Sequence, residues 1–108
     1  MDTHIDYRQL NIGQVTVAAE ILKLLSDPTR LKILWALLHG EHSVNELANH
    51  IDAQPAAVSQ HLAKLRIARL VKVRREGNKM YYLTDNRHVR KLIEEALSQA
   101  DHIITRNK

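Results

Sequence analysis

The chain contains no cysteine. That excludes disulfide staples, thiolate metal sites and thiol redox switches, and leaves imidazole and carboxylate as the side chains able to hold a transition metal. Apolar residues make up 44% of the 108 positions. Even so, no apolar run approaches the roughly 18 residues of a membrane span. The opening stretch MDTHIDYRQL is polar and partly acidic, unlike a secretion signal, so a cytoplasmic location is expected. No Gly-rich phosphate loop, nucleophile elbow or paired-carboxylate arrangement stands out, so an enzyme is not expected. Repeats, linkers and low-complexity segments are also missing, which points to a single domain over 1–108. The net charge is +4 and the sequence pI near 9.6. That suits a polyanionic partner, and is modest for a low-specificity coating protein of nucleic acid.

Residues 1–10 read as a loosely held arm. Val15, Ala18, Ile21, Leu22 and Leu25 recur at three- and four-residue spacing, which predicts a first helix from Asn11 to Leu25. Asp27 is a capping residue and Pro28 fits a first helical position, so a second helix runs to about His39. Leu31, Leu34 and Leu38, flanked by Ile33 and Leu37, place that helix at the centre of the core. Ser43 with Glu46 matches a capping box and opens a third helix. A turn follows over 49–53, and Gln54-Pro55 opens a fourth helix, so that 43–66 reads as a helix-turn-helix. Val71 and Val73 alternate with charged residues, and 75–78 is turn chemistry. Residues 69–83 therefore form a β-hairpin with Arg74, Arg75 and Lys79 near its tip. A last helix covers 85–104. The expected architecture is mainly α with a small β-hairpin: a winged helix-turn-helix of five helices and a two-stranded wing.

In such a module the second helix of the pair enters the DNA major groove and the hairpin lies on the backbone or the adjacent minor groove. The candidate reading face carries Gln54, Ala56, Ala57, Ser59, Gln60, His61 and Lys64, opposite Val58, Leu62 and Leu65. Gln60 suits adenine, Ser59 a phosphate or base edge, and Ala56 or Ala57 a thymine methyl. Lys64, Arg74, Arg75 and Lys79 are candidate phosphate contacts.

In the last helix, Val89, Ile93, Ala96, Ala100 and Ile103 are spaced 4, 3, 4, 3, with Leu92 and Leu97 beside them. This stripe buries either against a partner helix, giving a two-fold homodimer, or against the chain's own core. His88, Glu95, Gln99 and His102 fall within one sector of roughly 60°, with Asp85 at its edge. His88 and His102 are 14 positions apart, about 21 Å along one helix, so they cannot share an ion within one chain. If two such helices packed antiparallel, Asp85 and His88 would meet His102 of the partner subunit, giving two sites per dimer.

The segments LLSDPTRLKIL at 24–34, SVNELA at 43–48, AAVSQHLAKLRIARLV at 56–71 and REGNKMYYL at 75–83 resemble the ArsR/SmtB family of metal-responsive winged-helix repressors. The resemblance covers roughly 15–104, and the run from 68 to 102 is most similar to the nickel/cobalt-sensing subgroup, with the zinc sensors further away. It implies a homodimer bound to an inverted-repeat operator in double-stranded DNA. It also implies repression, and release when a divalent metal ion binds as inducer. The zinc subgroup's Asp-x-His pair is here Asp85-x-x-His88, one residue longer, and Gln99 stands where a His ligand is found. The nickel/cobalt subgroup is matched at His88 and at the acidic-His pair Asp101-His102, and His4 in the arm is a further candidate ligand. A winged-helix regulator that responds to another signal, with no metal, remains the alternative.

Overall fold

The structure is a computed structural model and describes residues 9–106. The elements in chain order are α1 (Ile12–Leu25), α2 (Pro28–Leu38), α3 (Val44–Ile51), α4 (Pro55–Ile67), β1 (Lys72–Glu76), β2 (Lys79–Leu83) and α5 (Arg87–Arg106). These are the expected five helices and two-stranded wing. His4 and most of the expected arm lie outside the described residues.

The helix starts follow from side-chain acceptors that satisfy otherwise unpaired N–H groups. The Asn11 side chain accepts from the Gln14 N–H at 2.7 Å, and the Gln14 side chain accepts in return from the Asn11 N–H. Asp27 accepts from the Arg30 N–H at 2.9 Å ahead of Pro28. Ser43 and Glu46 form the expected reciprocal box, with the Ser43 N–H donating to Glu46 at 2.8 Å. The hydrogen-bonded N–H groups hold the Asp27 and Glu46 carboxyls below the ordinary carboxylate range. Their contribution to stability is thus present at neutral pH and is lost as pH falls through those lowered values. Helix α4 differs: Gln54 makes no side-chain cap bond, and Pro55 alone favours the start.

Two boundaries near the candidate sites differ from the sequence expectation. Helix α3 continues to Ile51, and Asp52 closes it in a left-handed conformation with φ of 55°. A short polar side chain tolerates this conformation, which shortens the turn to 52–54. Helix α5 starts at Arg87, because Asn86 Oδ1 accepts from the N–H groups of His88 and Val89 at 2.9 and 3.1 Å. Asp85 is therefore outside the helix.

The core is one cluster. Helix α2 contributes Ile33, Leu34, Leu37 and Leu38. Helix α3 adds Leu47 and Ala48, and α4 adds Val58, Leu62 and Leu65, the three apolar residues opposite the reading face. Val89 and Ile93 of α5, expected in a dimer seam, are each only 1% exposed and complete this core instead. The first half of the seam is thus intramolecular, since a 4, 3 spacing serves either kind of packing equally well. The second half is not covered by the chain. Ala96, Leu97, Ala100, Ile103 and Ile104 are exposed, as are Leu10 just before α1 and Ile12, Val15, Val17 and Leu22 along it.

Strands β1 and β2 pair antiparallel from Lys72↔Leu83 to Glu76↔Lys79. Gly77, at φ of 61°, makes the reversal in a conformation that costs a glycine little. The root of the wing is tied to the α2–α3 loop. The His42 N–H donates to the Tyr82 carbonyl at 3.1 Å and the Tyr82 N–H to the His42 carbonyl at 2.8 Å.

Leu62 is fully buried, so Leu62→Ala should destabilise the chain by about 2–5 kcal/mol through lost transfer energy and the cavity left behind. Urea unfolding followed by circular dichroism measures it. A loss under about 1 kcal/mol would show that α4 is held mainly by something other than its apolar face.

Candidate nucleic-acid interface and metal centre

Burial of Val58, Leu62 and Leu65 fixes which side of α4 looks outward. Gln54, Ala56, Ser59, Gln60 and Lys64 are exposed, while Ala57 is half-buried at the edge. Those exposed residues form one polar strip on the second helix of the pair, with amide, hydroxyl and ammonium groups suited to base edges and phosphates. His61 does not belong to the strip. Its ring is half-buried, with Nδ1 3.2 Å from Arg30 Nη1 and Nε2 3.9 Å from Asp27 Oδ2. Both of its ring nitrogens thus face α2 rather than the strip.

The wing divides its cations. Arg74 donates from Nε to Glu41 at 2.8 Å and from Nη1 to Glu76 at 2.6 Å, with its guanidinium 5.0 Å from the centre of the Tyr81 ring. The carboxylates of Glu76 and Glu41 hold its proton more tightly than usual. Two carboxylates thus offset the charge that was expected on a phosphate, and Arg74 instead braces the hairpin against the α2–α3 loop. Arg75 and Lys79 are exposed at the tip, and neither has a carboxylate within ion-pair distance among the described residues. Arg66, two residues after Lys64, is a further cation of α4. Its side chain lines a shallow groove with Ser59, Ala63 and Ile67 of α4, facing Tyr82 of β2.

On α5, His88 stands exposed in the first turn and His102 exposed near the other end. Both imidazoles are accessible and chemically suited to zinc, cobalt or nickel. Asp85 is engaged elsewhere: Lys72 Nζ donates to its Oδ2 at 3.0 Å, and that bond holds the carboxyl below its ordinary range. Asp101 and His102 lie within an unbroken helix that continues to Arg106. Their side chains consequently diverge by about 100°, and Asp101 does not share His102's face. Among the described residues, no three histidine or acidic side chains of one chain converge closely enough for a metal ion. His88 and His102 therefore stand as separate exposed imidazoles within one chain.

Three of the remaining histidines have structural partners. His39 Nδ1 donates to the Trp35 carbonyl at 2.7 Å, and its ring stands edge-on to Trp35. The His42 ring meets His50 edge-on at 5.0 Å and lies 3.8 Å from Glu46.

A polar helix held outward by the second half of a helix-turn-helix, with a basic hairpin tied behind it, defines a winged-helix DNA-binding module. A family model described as bacterial regulatory protein, arsR family, matches residues 27–73. The chain is 47% identical over 89 residues to the HTH-type transcriptional regulator KmtR of Mycobacterium tuberculosis, covering 82% of this chain and 68% of that one. It is 43% identical over 79 residues to a cadmium resistance transcriptional regulatory protein CadC homolog of Staphylococcus aureus, covering 72% and 65% of the two. The crystal structure of AntR, an antimony-specific transcriptional repressor, superposes with a TM-score of 0.82 at 27% identity, covering 94% of this chain and 93% of that one. The chain belongs to the ArsR family of winged-helix, DNA-binding transcriptional regulators, and is not an enzyme. No helix among the described residues is long and apolar enough to cross a membrane.

The two wing arginines separate in a salt titration. Each phosphate contact adds about 0.9 to the slope of log affinity against log salt. Arg75→Ala should lower that slope by about one unit, whereas Arg74→Ala should leave it nearly unchanged. Equal effects of the two substitutions would return Arg74 to the phosphate contacts.

Proposed function

We infer that the protein is a homodimeric repressor, and that a divalent metal ion relieves its binding to an inverted-repeat operator. Helix α4 of each protomer would read one half-site through Gln60 and Ser59, with Lys64, Arg75 and Lys79 on phosphates. The observation that carries this reading is α5 itself. It presents exposed imidazoles at two ends of a helix whose outer half also leaves Ala96, Ala100, Ile103 and Ile104 uncovered. A second copy covers that surface most simply by packing its own α5 antiparallel, with α1 adding a further apolar strip. His88 of one protomer and His102 of the partner subunit would then hold the ion, with Asp85 joining once it leaves Lys72. When bound, the ion supplies a positively charged bridge between subunits. Its identity is nickel, cobalt or zinc on the donor types present. The relatives named for cadmium resistance and antimony support a metal inducer in general. A cytoplasmic location is part of the proposal.

The engagement of Asp85 by Lys72 and the divergence of Asp101 leave few donors per half-site. They favour, as the second reading, a winged-helix regulator that responds to another signal.

A fluorescein-labelled duplex, selected from a random-sequence pool by the wild-type protein, supplies the probe. Nickel, cobalt or zinc should release the wild type from it in an anisotropy titration. His88→Ala and His102→Ala should bind the duplex normally and lose the release. Normal release by either variant contradicts the α5 site, and no release of the wild type by any of the three metals favours the second reading. Lys72→Ala frees the Asp85 carboxylate, so it should lower the metal concentration needed for release. An unchanged or higher midpoint removes Asp85 from the ligand set.

A further inference from the structure

Apolar contacts hold α4 firmly but without direction. Burial of Val58, Leu62 and Leu65 resists withdrawal of the helix, yet it resists a small slide or rotation about the axis far less, because the hydrophobic effect is non-directional. The end of the helix adds no restraint of its own, since Gln54 makes no side-chain cap bond. Among the described residues, one side-chain hydrogen bond joins α4 to another element, and it comes from His61.

That bond has a defined polarity. A guanidinium only donates, so Arg30 Nη1 gives the proton and His61 Nδ1 accepts it at 3.2 Å. With Nδ1 accepting, the ring's hydrogen is assigned to Nε2, which faces Asp27 Oδ2 across 3.9 Å, too long for a direct hydrogen bond. Arg30 is itself fixed twice: its Nε donates to the Leu24 carbonyl at the end of α1 at 2.7 Å, and its N–H donates to Asp27 at 2.9 Å. His61 is thus seated on a guanidinium that cannot easily move. Its neighbours Gln60 and Lys64 carry the exposed DNA-facing groups.

We propose that His61 is a positioning residue for DNA recognition, acting through Arg30 to set the rotation and height of the reading helix, and that it makes no contact with DNA. The bond between them connects the α1–α2 junction to the strip that meets the bases. Removing either partner lets α4 settle in a range of placements, so base contacts are made less often while the number of phosphates neutralised stays the same. A base or phosphate contact at His61 would behave differently, because its loss would not depend on Arg30.

The test is operator binding by the full chain to the selected duplex, at several salt concentrations, with unfolding of each variant followed by circular dichroism. His61→Ala and Arg30→Ala should each weaken binding by about tenfold, as expected for a hydrogen bond to a charged group. The salt slope should stay as in the wild type, and His61→Ala/Arg30→Ala should bind no worse than the weaker single variant. His61→Asn places an amide oxygen where Nδ1 stands and should recover affinity to within about threefold of the wild type. His61→Gln carries its amide to the Nε2 position and should not recover it. The Asn and Gln variants decide the matter if the alanine variants unfold. Wild-type affinity in His61→Ala overturns the proposal. So do a fall of about one unit in its salt slope, losses that multiply in the double variant, or equal binding by the Asn and Gln forms.

Discussion

Helix α2 cannot shift without shifting the elements on both sides of it. Ile33 and Leu34 are fully buried and Leu37 nearly so, which makes this helix the part of the core that α3, α4 and α5 all pack against. Its ends are gripped by directional bonds as well. At the C-terminal end Arg90 of α5 donates to the Leu38 carbonyl at 2.9 Å, and at the N-terminal end Arg30 meets His61 of α4. A packed interior does not deform continuously, so displacement of a buried rod is passed on to its neighbours. Arg90 follows His88 by two residues on α5, and Gln60 precedes His61 on α4. The candidate sensing and reading surfaces thus lie at opposite ends of the same rod.

The division of labour across the chain follows from charge and burial. The described ion pairs are at least partly exposed, and pairs of that kind contribute little to stability. What they decide is which cations are engaged inside the chain and which stand open to an anionic partner. Glu41 and Glu76 occupy Arg74, whereas Arg75 and Lys79 face outward at the wing tip. The same logic holds at the start of α5, where Lys72 occupies Asp85 while His88 and His102 stand exposed.

Local signals in the sequence carried most of the fold. Caps at Asp27 and Ser43, proline at the starts of α2 and α4, the alternation around Val73 and the turn at Gly77 are each decided within a few residues, and each was legible. The parts that were not legible depend on distant partners. His61 lies at the border of α4's outward face, and only Arg30, 31 positions earlier, decides which way its ring turns. Arg74 looks like any hairpin cation until Glu41, 33 positions away, comes beside it. Val89 and Ile93 carry a seam spacing that an intramolecular core uses just as well, and a second capping choice at Asn86 excludes Asp85 from α5. The bridge between His42 and Tyr82 involves one residue from a loop and has no periodic pattern to betray it.

If His88 and His102 hold one ion, the site is shared between subunits, because about 21 Å of helix separates the two residues. Complementation tests it most directly. Equal amounts of His88→Ala and His102→Ala protein are unfolded together, refolded to exchange subunits, and titrated with nickel, cobalt and zinc by calorimetry. Each variant alone should bind no metal tightly. The mixture should recover tight binding of one ion per heterodimer, through His88 of one subunit and His102 of the other. A mixture that binds no better than its two components would contradict the shared site.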